Sequence, residues 1–177
     1  MAEEIFYTFL DSFLGKIGIA SSPSGIVCVD IGTGEDAFSE MLKRKFVDTP
    51  IKSEKKNSQA LNRDFSGSGQ AIDELNSYLK GNLKEFDSKL DIRGTPFRLN
   101  VWNNTRKIPY GGMRSYKFIA CEVAKATYSR AVGNAISKNP IPIFIPCHRV
   151  INSDGNLGRY GPGENIKRRL LELEGAI

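Results

Sequence analysis

The residue pattern of the chain changes near residue 95, and this change limits the possible folds more than any other feature. Before it, runs rich in β-branched and aromatic residues alternate with Gly and Ser-Pro-Ser-Gly turns, which is typical of strands. After it, capping residues precede stretches with helical spacing. A chain of 177 residues can bury two small cores. We therefore predict two domains, at residues 1–90 and 91–177.

The first half predicts an α/β domain with an antiparallel sheet. Its three β-rich runs, which indicate a meander, are residues 5–10, 17–20 and 26–31. Two helical patterns follow, with apolar faces formed by Phe38, Met41, Leu42 and Phe46 and by Ile72, Leu75, Tyr78 and Leu79. Residues 47–68 are rich in Lys, Ser and Asn, so they predict a mobile connection with little to bury.

The second half predicts three short helices. The expected first residues or caps are Thr95 with Pro96, then Ser115, then Ser129. The third helix turns Val132, Ala135 and Ile136 inward and ends before Asn139-Pro140, because proline disfavours helix in the preceding residue. Two short helices with a tight connection fit a helix-turn-helix, but a generic helical hairpin gives the same pattern.

Charge is distributed unequally between the halves. Residues 1–90 carry 11 Lys+Arg against 14 Asp+Glu, whereas residues 91–177 carry 14 against 6. A polyanion such as nucleic acid is the partner that this asymmetry favours for the second half. A solvated basic face is the alternative.

Several classes of protein are disfavoured. No apolar run approaches the roughly 18 residues that cross a bilayer and no signal peptide is evident, so we expect a cytoplasmic protein without a membrane partner. Cys28, Cys121 and Cys147 are far apart, which predicts free thiols, the first two buried. With one histidine and no clustered cysteines, we expect no metal site.

A proline-punctuated apolar run, Ile141–Pro146, precedes the dipeptide Cys147-His148. Proline removes ladder donors, so the run is not a central strand, and its stiffness favours holding the next residues in place. A neighbouring base or positive field lowers a thiol pKa, and His148 and Arg149 can provide both. Consecutive side chains often diverge, so the dipeptide alone is more often accidental than catalytic.

The whole segment Pro146-Cys147-His148-Arg149-Val150 resembles the active-site signature of the O6-alkylguanine-DNA alkyltransferases. Further segments occur in the family's order: Thr95-Pro96-Phe97, Val101-Trp102, Ile108-Pro109-Tyr110-Gly111, Ser115-Tyr116, Arg130-Ala131-Val132-Gly133, Asn139-Pro140-Ile141-Pro142 and Gly155–Gly161. They span nearly all of residues 95–175. The resemblance implies a ribonuclease-H-like N-terminal domain and a mostly α, winged helix-turn-helix-like C-terminal domain.

The resemblance also implies a reaction. Cys147 accepts the alkyl group of O6-alkylguanine, and of O4-alkylthymine, in a single turnover that inactivates the protein. His148 deprotonates the thiol through a bound water, Glu174 orients the imidazole, and Tyr116 or an adjacent donor protonates the departing guanine. No cofactor is required, since the thioether product is stable.

The implied partner is double-stranded DNA containing alkylated bases, bound by a monomer. Arg130 is the finger that enters the base stack while the target nucleotide is flipped out, and Tyr116 crowds the adjacent phosphate. Ser115, Ala131 and Gly133 complete the implied DNA contacts. The third helix then lies in the minor groove, with backbone contacts that weaken as salt rises.

Asn139 is implied to be a hinge between that helix and the cysteine loop, although a simple helix stop before proline is an equal interpretation. Val150, Gly158 and Tyr160 are implied to form the base pocket. Pro162, where many relatives have glycine, puts acceptance of bulky alkyl groups in doubt. Outside the site, we expect Trp102 in the core and Lys167-Arg168-Arg169 on a solvated helix face.

Two other functional classes are open. A cysteine hydrolase built on Cys147, His148 and Glu174 would turn over repeatedly. A non-catalytic DNA-binding module, either a regulator or an alkyltransferase-like damage sensor, is disfavoured because such sensors lack the acceptor cysteine.

Overall fold

The computed structural model of the chain describes residues 4–53 and 68–177. The chain divides into two units, Met1–Ile92 and Arg93–Ile177. The first is a mixed α/β unit and the second is mostly helical. The predicted fold class is therefore confirmed in both halves.

A four-stranded sheet forms the first unit, in the order β3-β2-β1-β4. Its strands and helices are β1 (Ile5–Ser12), β2 (Gly15–Ser22), β3 (Gly25–Ile31), α1 (Glu35–Lys45), β4 (Ile51–Ser53) and α2 (Ser68–Leu79). The first three strands pair antiparallel, with a register shift between Ala20 and Ser21 of β2. This is the predicted meander.

Helix α1 covers one face of the sheet with the predicted apolar residues, of which Phe38 and Leu42 are fully buried. Gly18 in β2 lies directly beneath this helix: a Cβ atom there would lie 2.9 Å from the ring of Phe38. Glycine therefore lets the helix approach the sheet closely. Helix α2 packs against β1, β2 and β3 through the buried Leu75 and Tyr78.

The predicted connection at residues 47–68 and the purely antiparallel sheet need correction. Within that segment, Ile51–Ser53 forms β4, which pairs parallel with β1 in the register Ile5 with Ile51. The sequence provides little indication of this strand, because only Ile51 packs against the core, whereas Lys52 and Ser53 are exposed. Residues 54–67 of the predicted connection lie outside the described residues.

The second unit begins with the three predicted helices. Its elements are α3 (Pro96–Arg106), β5 (Arg114–Ser115), α4 (Tyr116–Val123), α5 (Ser129–Ser137), β6 (Val150–Ile151) and α6 (Glu164–Leu173). The side chains of Thr95 and Ser115 accept hydrogen bonds from the backbone of Arg98 and Phe118, so both predicted caps are confirmed. The buried indole of Trp102 donates to the carbonyl of Ala135 at 2.9 Å, which joins α3 to α5.

The cap predicted at Ser129 is wrong. A 3-10 turn over Ala126–Tyr128 runs directly into α5, so Ser129 is already helical and its hydroxyl donates to the carbonyl of Ala126. The inward face of α5 is as predicted, with Val132, Ala135 and Ile136 buried.

Candidate active site

The candidate nucleophile lies in a buried loop, residues 141–150, which we call the cysteine loop. Pro146 adopts φ −78° and ψ 61°, and the backbone N–H of Cys147 donates to the carbonyl of Ile145 at 2.7 Å, the geometry of an inverse γ-turn. Ile143 has φ 75°, a conformation that costs energy in a β-branched residue. The two backbone features fix the direction from which Cys147 enters its short 3-10 turn, Cys147–Arg149.

Asn139 connects the end of α5 to the cysteine loop. Its Oδ1 accepts from the backbone N–H of Ile141 at 3.0 Å, and its Nδ2 donates to the carbonyl of Ile145 at 2.8 Å and to Sγ of Cys147 at 2.9 Å. One side chain thus contacts both the backbone of the loop and the sulfur. A helix stop alone would require none of these bonds.

His148 and Glu174 are in contact across 26 residues of sequence. Nε2 of His148 lies 2.9 Å from Oε1 of Glu174, and both side chains are fully buried. Burial lowers the pKa of His148, and the Glu174 carboxylate acts in the opposite direction. The imidazole is therefore neutral at pH 7, with a carboxylate placed to stabilise the imidazolium once a proton arrives.

Arg149 is also bound to Glu174, which corrects its predicted role as part of the positive field on the thiol. Its Nε and Nη2 donate to the carboxylate at 2.8 to 3.2 Å, and its Nη1 donates to the carbonyl of Ile108 at 2.6 Å. The backbone N–H of Gly111 adds a further bond to Oε2 of Glu174 at 3.2 Å. These contacts neutralise and orient the carboxylate that supports His148.

Lys167 is fully buried, so the prediction that it lies on a solvated helix face is wrong. Its ammonium donates to the carbonyl of Val150 at 2.6 Å and to the carbonyl of Leu157. Burial lowers its pKa to about 8. The neighbouring Arg168 is exposed, and a run of three cations in sequence gives no sign that one of them faces inward.

The pKa of Cys147 is raised above its ordinary value, in contrast to the lowered value expected from sequence. Burial is the main cause, while the amide of Asn139, the charge of Lys167 and the hydroxyl of Tyr160 act in the opposite direction. The resting nucleophile is therefore a protonated thiol, and it becomes reactive only when a base removes its proton.

Two tyrosines interact electrostatically with Cys147. The ring of Tyr160 lies edge-on to that of His148, with centroids 6.5 Å apart. Burial raises the pKa of Tyr116, as does the charge of Cys147, so its hydroxyl keeps its proton at neutral pH. A Cβ atom on Gly133 would lie 3.8 Å from the Tyr116 ring, which places the first residue of α4 against α5.

The remaining predicted pocket residues lie on two neighbouring segments. Val150 pairs with Arg114 in the parallel ladder of β5 and β6, and its carbonyl accepts from Lys167. Gly158 has φ 73°, and a Cβ atom there would lie 3.2 Å from the amide of Asn152. A larger residue at position 158 would therefore be strained and crowded.

The predicted DNA contacts lie on α5 and at the start of α4. Arg130 and Ala131 are exposed, whereas Ser115 and Gly133 are half-buried. A cleft of about 880 Å³ lies next to Arg130, lined also by Arg98 and Tyr128. The exposed arginine lies on α5, whereas the buried cysteine lies in the cysteine loop of the same unit.

Comparison with known proteins decides between the open alternatives. The model of the 6-O-methylguanine DNA methyltransferase ribonuclease-like domain matches residues 5–92, and that of the DNA binding domain of the same family matches residues 96–176. A methylated-DNA–protein-cysteine methyltransferase of Methanosarcina acetivorans is 37% identical over 97% of this chain and 99% of its own length. The chain belongs to the 6-O-methylguanine DNA methyltransferase family.

Other members of this family agree. A Mycobacterium tuberculosis methylated-DNA–protein-cysteine methyltransferase is 53% identical over 110 residues, a match that covers 62% of this chain and 65% of the relative. The crystal structure of the M. tuberculosis family member OGT in complex with DNA has a TM-score of 0.79, at 37% identity, and covers 97% of this chain and 93% of that chain. The resemblance inferred from sequence is confirmed.

Three residues of this family site were not assigned a contact from sequence: Gly111, Arg149 as the partner of Glu174, and Lys167. All three act through the backbone or through a residue far away in the chain: Arg149 and Glu174, for example, are 25 positions apart. The signal available was the family-like segment Ile108-Pro109-Tyr110-Gly111, which the structure places against the end of α6.

The other thiols lie outside the site. Cys28 is buried in β3, as predicted, but Cys121 is exposed on α4, which corrects the prediction that it is buried. Among residues 4–53 and 68–177, no group of three or more His, Cys, Asp and Glu side chains is arranged to hold a metal ion. In the same ranges, no helix combines the length and apolar character that crossing a membrane requires.

Proposed function

We propose that this protein repairs DNA by moving a methyl or other alkyl group from O6 of guanine, and from O4 of thymine, to Cys147. The observation that carries the proposal is the hydrogen bond from Asn139 to Sγ of the buried Cys147, together with the buried contact between the next residue, His148, and Glu174. The match of both domain models of the family to this chain also supports the proposal.

The reaction begins with the thiol proton, which the neutral imidazole of His148 accepts, directly or through water. Glu174 stabilises the resulting imidazolium. The thiolate attacks the alkyl carbon, an S–C bond forms, and the O6–C bond breaks with its electron pair passing to the guanine oxygen. Tyr116 supplies the proton that returns guanine to its ordinary form. The proton held by the imidazolium then returns, through water, to the Tyr116 phenolate. The sum is thiol plus alkylguanine giving thioether plus guanine.

The buried nucleophile requires the base to leave the helix. Cys147 is 5% exposed, so an O6 atom stacked inside a duplex cannot reach it. In this proposal residues 91–177 bind the duplex as a monomer, and Arg130 fills the gap left by the flipped nucleotide. Tyr116, Ser115, Ala131 and Gly133 contact the backbone, while Val150, Gly158 and Tyr160 enclose the base. Asn139 holds the two parts together.

The proposal places the protein where DNA is: in the cytoplasm of a prokaryote, at the nucleoid, or in the nucleus of a eukaryote. Contacts with the phosphate backbone dominate this binding, so affinity for any duplex falls as salt rises. Specificity for the lesion then comes from the flipped base and the reaction rather than from flanking sequence.

Stoichiometry tests the proposal against its two rivals. Excess duplex carrying radiolabelled O6-methylguanine is mixed with protein, and label on the chain is followed to its plateau. We expect one methyl group per chain and none with Cys147→Ser. Continued consumption of substrate at a fixed amount of protein would indicate a hydrolase, and a chain that binds lesion DNA without acquiring label would indicate a damage sensor.

A further inference from the structure

The cleft next to Arg130 has a side that the proposed mechanism leaves unused. The cleft measures about 880 Å³, and residues of α3, of the 3-10 turn before α5 and of α5 itself line it. Of these residues, only Arg130 and Ala131 contact DNA in the proposed mechanism. The opposite wall includes Phe97, Arg98 and Tyr128, which have no part in it.

This lining has the chemistry of a surface that binds nucleic acid. The guanidinium groups of Arg98 and Arg130 are both part of it, and none of the described residues that line the cleft is acidic. The rings of Phe97 and Tyr128 have centroids 6.5 Å apart and planes inclined at 44°, and Tyr128 is 47% exposed. Cations beside exposed aromatic rings bind the phosphates and the flat or apolar groups of a DNA strand. The cleft therefore favours a nucleic-acid strand over a small anion.

The cleft and the side chain of Tyr116 lie on opposite flanks of α5. Successive residues of an α-helix are about 100° apart, so Ala131 and Gly133 are directed about 200° apart. Ala131 lines the cleft, whereas a Cβ atom on Gly133 would lie 3.8 Å from the ring of Tyr116. The exposed Arg130 lies between these two flanks, about 100° from Ala131 and, in the other direction, about 60° from Gly133.

The two flanks correspond to the two strands of a duplex. A helix that lies in the minor groove has one strand on each side of it. In the proposed function, Tyr116 contacts the strand that carries the flipped nucleotide. The cleft is on the opposite flank of the helix, so it faces the other strand, whose nucleotides stay in the duplex.

We infer that this cleft binds the undamaged strand of the duplex, with Arg98 on one of its phosphates and Tyr128, supported by Phe97, packed against an adjacent nucleotide. The inference rests on the proposed function, since it deepens the account of the same DNA complex. Arg98 and Tyr128 are positioning residues. They hold the strand opposite the lesion while Arg130 enters the stack and the damaged nucleotide leaves it, and they take no part in alkyl transfer.

Single-stranded DNA separates this role from the alternatives, because it lacks the strand that the cleft binds. A single-stranded oligonucleotide with the same lesion can still place its alkylated base against Cys147, and no base pair has to be opened. Loss of a cleft residue should therefore slow the reaction with duplex and leave the reaction with single strand unchanged. A contact with the damaged strand, or a merely structural role, would affect both substrates.

The test compares Arg98→Gln, which removes the charge, and Tyr128→Ala, which removes the ring, with two matched controls. Arg106→Gln removes an exposed arginine at the other end of α3, outside the cleft, and Tyr128→Phe keeps the ring. Second-order rates of methyl transfer are measured with one O6-methylguanine oligonucleotide, alone and paired with its complement. Duplex affinity is measured by fluorescence anisotropy over a range of salt concentrations.

We expect Arg98→Gln and Tyr128→Ala to react ~5-fold or more slowly than wild type with duplex, and within about twofold of wild type with single strand. Both controls should follow the wild type on both substrates. For Arg98→Gln, the dependence of log affinity on log salt should become shallower by about 1, since one phosphate contact is lost. Equal slowing on the two substrates, or unchanged rates with duplex, would overturn the inference.

A second measurement uses the wild type alone, so it does not depend on how a variant folds. Phosphates of the undamaged strand opposite the lesion are replaced, one at a time, by neutral methylphosphonates, and the affinity for each duplex is measured. Replacement of the phosphate in the cleft should weaken binding ~5-fold or more. Uniform affinity at all positions would overturn the inference.

Failure of the proposed function would give a different result. In that case the wild type would leave the methyl group on the single-stranded oligonucleotide as well as on the duplex. Methyl transfer to the wild type that is indifferent to the complementary strand and its phosphates would instead contradict only the role of the cleft.

Discussion

Helix α5 and the cysteine loop, residues 141–150, are joined by Asn139 but differ in their physical surroundings. The helix exposes Arg130 and Ala131 to solvent, whereas every residue of the loop is buried. The charged groups around the loop are held by several hydrogen bonds each, four in the case of the Arg149 guanidinium. The proposed function assigns DNA binding to the first region and alkyl transfer to the second, and we expect the two to differ in their tolerance of substitution.

This difference explains how one small unit can satisfy two requirements. A surface that binds any duplex needs exposed cations and a helix that approaches the backbone closely, and neither contributes much to folding. A thiol that stays protonated until the flipped nucleobase enters the site needs burial. Polar groups buried around it must then be hydrogen-bonded, so each of them contributes to the stability of the fold. Substitutions in the two regions should therefore differ in their effects on stability and on repair.

The largest effect on stability is expected for Arg149→Met. The substitution leaves the Glu174 carboxylate buried without its guanidinium, a change that costs about 3–5 kcal/mol in comparable sites. Urea unfolding measures it, with Arg130→Met as the control because that arginine is exposed. The control should lose no more than about 0.5 kcal/mol. A similar loss of unfolding free energy in both variants would contradict the proposed difference between the two regions.

Asn139→Ala is expected to come next. It removes the hydrogen bonds to Ile141, Ile145 and Cys147, each of which contributes about 1 kcal/mol net, so the unfolding free energy should fall by about 2–3 kcal/mol. Asn134→Ala, on the exposed face of the preceding helix α5, is the matched control. If Asn139 were only a helix stop before proline, the two alanine variants would be equally stable.

Arg130→Ala is expected to leave the fold intact and to slow repair. Flipping a base out of the duplex costs a few kcal/mol, and loss of the residue that fills the gap should slow methyl transfer ~10-fold or more. Affinity for undamaged duplex should fall only about threefold, since one cationic contact among several is lost. Single-turnover rates and fluorescence anisotropy measure the two, with Lys138→Ala at the far end of α5 as the control. Equal losses in both measurements would argue against the finger role.

The smallest effect concerns pH. His148 can accept the thiol proton only while its imidazole is neutral. Because burial lowers the pKa of His148, activity is lost only as the pH falls through that lowered value. An ordinary histidine, with a pKa near 6.5, would be about three-quarters protonated at pH 6. We expect single-turnover transfer at pH 6 to remain within about twofold of its rate at pH 7.5. A midpoint at or above 6.5 would contradict a neutral buried base.

The sequence predicted the elements that carry periodic or capping signals. The meander, the inward face of α5 and the caps at Thr95 and Ser115 follow from local chemistry, and the family-like segments located the nucleophile. The contact of His148 with Glu174 was implied only by resemblance, since no local pattern relates residues 26 positions apart. The geometry then placed the two side chains together.

Other features had no signal in the sequence. Strand β4 has a single packed apolar residue, and Lys167 is one of three consecutive cations whose neighbours are not fully buried. The lowered Cys147 pKa was predicted wrongly, on the ground that His148 and Arg149 could supply a base and a positive field. In the structure Arg149 binds Glu174 instead, and burial decides the pKa.

The identity of the residue that receives the alkyl group is the central claim. Duplex carrying trideuteromethyl at O6 of one guanine is incubated with the protein, and every cysteine-containing peptide is then resolved by mass spectrometry. The account predicts one trideuteromethyl group on the peptide that holds Cys147 and none on those holding Cys28 or the exposed Cys121. Label on either of those cysteines, or release of the methyl group to water with Cys147 unmodified, would contradict it.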